Sequence, residues 1–161
     1  MKLIKYSLAL LMSAFILNAC TKDPEVENTS TVNMSGEWWV KYYTGGVEIP
    51  NLGYLKLSSY NTSDPNSGQI WVDDDGTWPF KAKFDVDYGN LAFKGMASTP
   101  NTALAGKTIK VIEGKILKGV GHSLSGNVVD SIYMKLEFSD HAGTEYEVKG
   151  HFDTGFFADH P

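Results

Sequence analysis

The sequence contains no arginine and only one cysteine, Cys20, among its 161 residues. A single thiol cannot form an internal disulfide, so a folded domain must be held together by its core. The 14 lysines are outnumbered by 19 acidic residues, whereas proteins that hold nucleic-acid phosphates present clusters of arginine and lysine. The four histidines show no metal-ligand spacing. We therefore predict no nucleic-acid partner, no metal site and no cofactor.

The N-terminus has the organisation of an export signal. Lys2 and Lys5 precede an uncharged apolar segment, residues 6–19, which ends immediately before Cys20. This order is typical of a secretory signal, and the segment is shorter than the roughly 20 residues of a membrane-spanning helix. The run Leu-Asn-Ala-Cys at its end resembles a bacterial lipobox. The resemblance implies cleavage after Ala19 and acyl chains such as palmitate on Cys20; the alternative is a plain secretory signal that a cysteine follows by chance.

The chain is predicted to have three parts: a lipoprotein signal at 1–19, a lipidated linker at 20–33 and one folded domain at 34–161. The linker is polar, as flexible spacers are. Without the signal, the chain keeps 12 lysines against 19 acids, a net charge of −7, so the lipid alone would hold the body at an anionic membrane. Thr21, not an aspartate, follows Cys20, and by resemblance to the sorting of Gram-negative lipoproteins this implies the outer membrane.

Alternation of apolar and polar residues dominates the folded domain and predicts β-strands throughout. In residues 80–88 every second residue is apolar and those between are charged. A Gly-Asn turn follows and leads to a second alternating run at 91–97. The same arrangement recurs near the C-terminus, where a turn at 140–143 joins runs at 132–139 and 145–152. Each pair of runs predicts a β-hairpin.

Four further strands are predicted, at residues 37–44, 54–60, 68–73 and 108–118. The last of them changes phase at Ile112 or Gly114, as a β-bulge would cause, and a loop is expected at 98–107. No segment has convincing helical periodicity. Eight strands joined mostly by short turns predict an all-β fold, a small antiparallel up-and-down barrel. A two-sheet sandwich is the alternative, but it needs longer crossovers than this chain offers.

Two motifs resemble those of known families. The Gly-Glu-Trp run at 36–38 resembles the G-x-W signature that opens lipocalin-type barrels, whose tryptophan closes the barrel floor against a basic side chain. Lys149 is the candidate for that basic side chain here. Together with the lipobox and spacer, residues 34–40 and 148–156 resemble a family of Bacteroidota lipoproteins described as "lipid-binding putative hydrolase". This resemblance implies a lipocalin-like fold and an envelope location.

The apolar positions of the strands define the predicted interior of the barrel. They are Trp38, Val40, Tyr42, Leu55, Leu57, Ile70, Val72, Phe80, Phe84, Val86, Leu91, Phe93, Ile132, Met134, Leu136 and Tyr146. An eight-stranded barrel is just wide enough to be filled by side chains or to hold one small ligand. Ala82, Gly95 and Gly150 favour a cavity, although small residues are also found in close-packed cores.

For a hollow barrel, a set of interior residues is predicted to contact a small apolar ligand, with tyrosine hydroxyls orienting its polar end. The set consists of Trp38, Tyr42, Leu57, Phe84, Phe93, Met134 and Tyr146. No catalytic residue is predicted.

Two polar segments are weaker candidates for chemistry. Residues 121–126 begin like the G-x-S-x-G elbow of serine hydrolases, but a serine replaces the last glycine and no helix follows, so a turn is predicted. Ser123, His151 and Asp153 could still assemble a triad in space. Residues 73–76, Asp-Asp-Asp-Gly, lack the ligand spacing of a calcium loop and predict a solvated hairpin turn.

Trp39, Trp71 and Trp78 are expected on the outer face or at the rim, where they either cover a neighbouring loop or form a platform for a sugar or protein. The leading hypothesis is a membrane-anchored lipoprotein whose barrel binds a small hydrophobic or lipidic ligand. The alternative is a non-catalytic accessory envelope lipoprotein that acts through surface contacts with a protein or glycan. A hydrolase is the third hypothesis.

Overall fold

The computed structural model describes residues 29–64, 66–76 and 78–161. The predicted signal, Cys20 and the first part of the predicted linker lie outside these ranges. The described chain forms ten β-strands: β1 (Gly36–Thr44), β2 (Val47–Glu48), β3 (Leu55–Asn61), β4 (Gln69–Asp73), β5 (Lys81–Asp87), β6 (Ala92–Phe93), β7 (Met96–Pro100), β8 (Thr108–His122), β9 (Val128–Phe138) and β10 (Glu145–Phe152). There are also two short 3-10 helices, Ser139–His141 and Phe157–Asp159. None of the helices in the described ranges is long and apolar enough to cross a membrane.

All the strands belong to one antiparallel sheet that closes on itself. The order around the barrel is β1, β3, β4, β5, β6, β8, β9 and β10, and β10 pairs with β1 so that Trp38 lies opposite Phe152. β2 pairs with the end of β1, while β7 continues from β6 along the edge of β8. This closed eight-stranded barrel confirms the predicted all-β class and excludes the sandwich.

Most strands agree with the alternating runs of the sequence, but three regions differ. The run predicted at 91–97 is interrupted, because Lys94 and Gly95 lie between β6 and β7. The loop predicted at 98–107 is shorter, because β7 pairs with β8 as far as Pro100. β8 and β9 are longer than predicted. Among the described residues, the last part of β8 pairs only with the first part of β9. We call this projecting hairpin, residues 117–130, the ribbon. The predicted bulge is confirmed at Ile112, where the register of β8 against β9 shifts.

The strand order gives the barrel two distinct ends, which we call the floor and the mouth. The floor is the end at Trp38, where β1 begins, β10 ends and the ribbon projects. The mouth is the end at Tyr42, and the segments that reach it are residues 45–54, 74–80, 101–107 and 139–144. These segments decide what covers the interior at that end.

Alternating side chains fill the barrel. Of the predicted interior residues, Leu55 and Leu91 are half-buried and all the others are buried. The core also contains buried residues outside the predicted set: Met34, Ala82, Ile109, Val111, Ile116, Phe138 and Val148. Burial of apolar surface, at about 25 cal/mol per Å², is the main favourable contribution to the stability of such a fold.

The small residues that predicted a cavity do not line one: Gly150 and Ala82 mark close packing, and Gly95 is exposed between β6 and β7. A Cβ atom on Gly150 would lie 2.1 Å from the Trp39 carbonyl oxygen, and one on Gly95 would lie 3.2 Å from the Ile112 carbonyl oxygen. Ala82 is completely buried. The inference that these residues indicate a cavity is therefore wrong, because neighbouring backbone already occupies the space at the glycines.

The floor is closed by a buried tryptophan. Trp38 Nε1 donates a hydrogen bond to Ser59 Oγ at 2.9 Å, and Ser59 Oγ donates to the Met34 carbonyl at 2.7 Å. The Phe152 ring meets the indole edge-on, with centroids 5.4 Å apart. Lys149 is exposed on the outer face, so an aromatic ring takes the place expected for a basic side chain.

Candidate ligand site at the barrel mouth

Aromatic rings close the mouth. Trp78 stacks on Tyr42, with ring centroids 5.7 Å apart and planes inclined by 11°. The same indole packs on Tyr146 at 5.0 Å, on Phe138 at 6.1 Å and on His141 at 6.0 Å. Trp78 is half-buried while Tyr42 beneath it is buried, so Trp78 separates this part of the interior from solvent.

Asp74 holds the loop that carries Trp78. Its carboxylate accepts hydrogen bonds from the backbone N–H groups of Gly76 at 3.1 Å, Trp78 at 2.5 Å and Phe80 at 3.1 Å. Asp74 is only 1% exposed, and burial raises the pKa of this carboxyl to about 6, although its three backbone hydrogen bonds oppose the shift. The predicted solvated turn is therefore corrected at its middle aspartate, which is buried and ties the loop together.

The Tyr42 hydroxyl is buried without a partner. The residue is 1% exposed, and Oη makes no hydrogen bond to any described residue. Burial, together with the nearby charge of Asp74, raises the pKa of this phenol well above its usual value. Leaving a buried hydroxyl unsatisfied costs roughly 1–3 kcal/mol, and such groups in folded proteins call for an explanation, such as a bound molecule.

The second tyrosine of the mouth is satisfied. Tyr146 Oη lies 2.7 Å from His141 Nδ1, and the His141 ring also packs against Trp78. Burial raises the pKa of Tyr146 as well. The two tyrosines therefore differ: one is held by a neighbouring side chain, and the other presents a free polar atom under the indole.

The other predicted ligand contacts are distributed along the whole interior. Trp38 lies at the floor, Phe84 packs between Phe80 and Phe93, and Leu57 and Met134 lie within the core. None of the seven predicted residues is more than 6% exposed. A cavity able to hold a ligand would leave accessible area on its walls, so this part of the barrel is filled in the present conformation. Their role as ligand contacts stays a prediction.

The structure also has shallow clefts on its outer surface. One, of about 250 Å³, is lined by Trp71, Lys83, Thr99, Pro100 and Thr102. A second, of about 260 Å³, includes the outer edges of β8 and β9. Trp71 thus lies on the outer face as predicted, with the Lys83 ammonium 5.1 Å from its ring centroid.

The remaining outer-face tryptophan covers a neighbouring segment. Trp39 packs against His160, with ring centroids 5.6 Å apart. We call residues 153–161 the C-terminal segment; it crosses this face after β10 ends. Trp39 therefore matches the expectation of a tryptophan that covers a loop, whereas Trp78 lies at the rim.

The serine, histidine and aspartate considered for a triad lie near the C-terminal segment without forming one. Ser123 Oγ lies 3.2 Å from Ser125 Oγ and accepts a hydrogen bond from the Asn127 N–H at 3.2 Å. His151 Nε2 is buried with no hydrogen-bond partner among the described residues, and burial lowers the pKa of its ring. Asp153 accepts instead from the Gly155 N–H at 2.9 Å. This arrangement does not activate a nucleophile, since a triad needs a serine–histidine hydrogen bond.

The described ranges also contain no group of three or more His, Cys, Asp or Glu side chains arranged to hold a metal ion. Asp73 and Asp75 of the acidic turn have local partners instead. Asp73 forms an ion pair with Lys81 at 2.7 Å, and Asp75 accepts a hydrogen bond from Ser58 at 2.9 Å.

The fold and the mouth define a small closed β-barrel whose interior is sealed at one end by an aromatic plug. A family model described as "lipid-binding putative hydrolase" matches residues 23–157. The match covers most of the chain, so the protein belongs to this family, and the family resemblance of the sequence is confirmed. No curated protein matches the chain significantly. A lipid-binding family and a β-barrel fit together as parts of a ligand-binding protein.

Asp74 is the mouth residue that the sequence prediction misplaced, whereas Trp78 lies at the rim, which is one of the two positions predicted for it. Alternation in β4 puts Val72 inward, and the next inward position is Asp74. In the same way, Trp78 lies two residues before the inward-facing Phe80. The alternating pattern, continued from β4 into the loop, therefore points to a buried side chain at Asp74, while the Asp-Asp-Asp-Gly composition indicates a solvated turn.

Proposed function

We propose that this protein is a membrane-anchored lipoprotein that binds a small hydrophobic or lipidic ligand through the mouth of its barrel. The observation that carries the proposal is the unpartnered Tyr42 hydroxyl, buried beneath the Trp78 indole. A ligand with an apolar chain and a polar end fits this environment, because the hydroxyl would bind the polar end. The description of the family supports a lipid as the ligand.

Binding requires Trp78 to move, since the interior is filled. Trp78 belongs to the loop between β4 and β5, and it is held there by one backbone hydrogen bond to Asp74 and by ring contacts. An apolar chain that replaces the indole and buries about 200 Å² would gain roughly 5 kcal/mol. Such a gain is sufficient to offset the displacement of a single half-buried side chain.

The anchor is proposed from the sequence. A basic and apolar leader ends at Cys20, whose run resembles a lipobox, and acyl chains there would hold the body firmly, at about 0.8 kcal/mol per buried methylene. Thr21 supports an outer-membrane location through the sorting resemblance. The body of the protein would then meet its ligands in the cell envelope.

The Tyr42→Phe variant tests the ligand site. We expect it to bind a fluorescent fatty acid about tenfold more weakly, because it loses one buried hydrogen bond of about 1.4 kcal/mol. The unliganded variant should unfold at a higher denaturant concentration, since the unsatisfied hydroxyl is gone. Titration and urea unfolding of the full chain measure these two effects. Unchanged affinity, or no saturable binding by the wild type, would refute the proposed site.

Two tryptophan variants provide the matched comparison. Trp78→Ala should increase the association rate of the fatty acid, because the plug has been removed. Trp71→Ala, on the outer face, should leave that rate unchanged. Stopped-flow fluorescence of both variants distinguishes access through the mouth from access elsewhere, and equal rates in the two variants would contradict the mouth.

A second candidate function, favoured by the filled interior, is that of a non-catalytic accessory lipoprotein acting through its outer surface. The cleft at Trp71 and Lys83 offers an aromatic platform with a cation, which suits a glycan or a protein partner. Native mass spectrometry that finds no lipid on the wild type, combined with glycan binding that Trp71→Ala abolishes, would favour this function. Hydrolysis has less support, because Ser123 makes no hydrogen bond to His151; ester turnover abolished by Ser123→Ala would revive it.

A further inference from the structure

Exposed apolar side chains are concentrated at the floor of the barrel. Among the large apolar side chains that are exposed in the described ranges, Val47 lies at the mouth and the others lie at the floor: Val32, Leu117, Val120, Leu124, Val128, Phe156 and Phe157. Phe157 is 91% exposed. Apolar surface gathered in this way marks a contact with a protein or a membrane.

These side chains belong to segments that are held in place. The C-terminal segment is fastened to the ribbon, because Asp159 Oδ1 accepts a hydrogen bond from the Ser125 N–H at 2.7 Å. Thr154 Oγ1 donates to the other Asp159 oxygen at 2.6 Å. Asp159 is 1% exposed, so Phe156 and Phe157 are presented beside the ribbon by a buried polar anchor.

The charged side chains at the floor do not favour binding to an anionic partner. Lys118, the lysine of the ribbon, forms an ion pair with Asp130 at 2.7 Å. The chain after the predicted signal carries 19 acids against 12 lysines. A favourable contact at the floor must therefore come from burial of apolar side chains, and it should depend little on salt.

We propose that the floor rests on the surface of a lipid bilayer, with the apolar side chains of the ribbon and the C-terminal segment inserted among the headgroups. Cys20 precedes Thr29 by nine positions, and Thr29 begins the segment that leads into the floor at β1. Nine residues span at most about 30 Å, so a lipid on Cys20 would keep this end near the membrane. The inference rests on the anchor of the proposed function, and it directs the mouth away from the bilayer.

The experiment uses the full acylated chain in vesicles of phosphatidylcholine. Acylation occupies the Cys20 thiol, so Phe157→Cys supplies one labelling site for an environment-sensitive dye at the floor, and Val47→Cys supplies the matched site at the mouth. We expect the floor label to shift to the blue and to be quenched several-fold more than the mouth label by lipids with brominated chains. Both effects should persist at high salt.

Each other outcome has a separate meaning. Equal quenching of the two labels on an acylated chain would overturn the membrane contact while leaving the anchor in place. A blue shift of the floor label that needs no vesicles and grows with protein concentration would show contact between two copies, and would also overturn it. An unmodified Cys20 in the intact mass would overturn the anchor, and the inference with it. Phe157 is almost fully exposed, so its replacement leaves the fold intact.

Discussion

The absence of a side chain at Gly150 allows two strands of this barrel to pack closely. At Gly150 the missing side chain lets β10 lie against β1, with the Trp39 carbonyl where a Cβ would be. Backbone cannot move away from such a contact as a flexible side chain can. Glycine is therefore required at this position because a side chain would prevent the two strands from pairing. The conformational freedom of glycine is not what the position needs.

Gly150→Ala should destabilise the protein by about 3 kcal/mol, since overpacking typically costs 1–3 kcal/mol and the contact here is with backbone that cannot move aside. Gly89→Ala is the matched control, because a Cβ there meets only the Asp87 carboxylate at 3.4 Å. Urea unfolding followed by circular dichroism measures both. A loss at Gly150 no larger than that at Gly89 would contradict the close contact.

A buried serine joins the tryptophan of the floor to the chain before β1. Ser59→Ala leaves the Trp38 N–H and the Met34 carbonyl without their shared partner, and we expect a loss of about 2 kcal/mol. Ser58→Ala, at the neighbouring residue, is the control, since the Ser58 hydroxyl donates a hydrogen bond to Asp75 at the surface. Thermal unfolding of the two variants gives the comparison, and equal melting temperatures would refute the role of Ser59.

At the scale of elements, the loop between β4 and β5 makes the stability of the protein depend on the ionisation of Asp74, the carboxyl that holds this loop over the mouth. The pKa of Asp74 is raised by burial to about 6 from 3.8. Between these values the folded protein binds more protons than the unfolded chain, so the contribution of Asp74 to stability is full below pH 4 and is lost as the pH rises through 6.

The Asp74→Asn variant tests this coupling. From pH 7 to pH 4, the free energy of unfolding of the wild type should rise by about 2 kcal/mol relative to the variant. The other carboxyl groups are common to both proteins and cancel in the difference. Urea unfolding at several pH values measures it, and parallel pH profiles would contradict a raised pKa at Asp74.

Regular alternation of apolar and polar residues made most of the strands predictable. The features that could not be predicted lie in segments without this alternation. The hairpin of β9 and β10 follows from residues whose apolar positions repeat every second place, because one face must be buried. The ribbon has no such pattern: Leu117, Val120 and Val128 are exposed, so no burial signal marks those strands. The buried state of Asp74 depends on backbone donors brought by the loop, and composition alone predicts a solvated aspartate.

The candidate site was predictable only in part. Tyr42 and Tyr146 lie in alternating runs, and both reach the mouth. Their contacts with Trp78 and His141 come from two separate turns that meet there only because the sheet closes. The order of apolar and polar residues along the sequence does not show that these two turns lie next to each other.

At the scale of the whole molecule, we expect the proposed lipid anchor and the barrel to be separable parts. Every core residue lies at or after Met34 in the described chain, so Cys20→Ala should leave the melting temperature unchanged while the protein moves from the membrane fraction to the soluble fraction. Fractionation and differential scanning fluorimetry measure the two effects. Thr21→Ser is the control and should stay with the membrane. Retention of the Cys20→Ala protein in membranes would contradict the lipid anchor.

The pairing of β1 with β10 also sets the order of events when the protein is made. The strand that holds Trp38 pairs with its second neighbour only when the strand that holds Phe152 is available, so the barrel cannot close until β10 has been synthesised. Until then the first strand has an open edge that is prone to pair with other chains. If the chain is exported as proposed, the barrel would close only after transport, and a chain truncated before β10 should aggregate instead of folding.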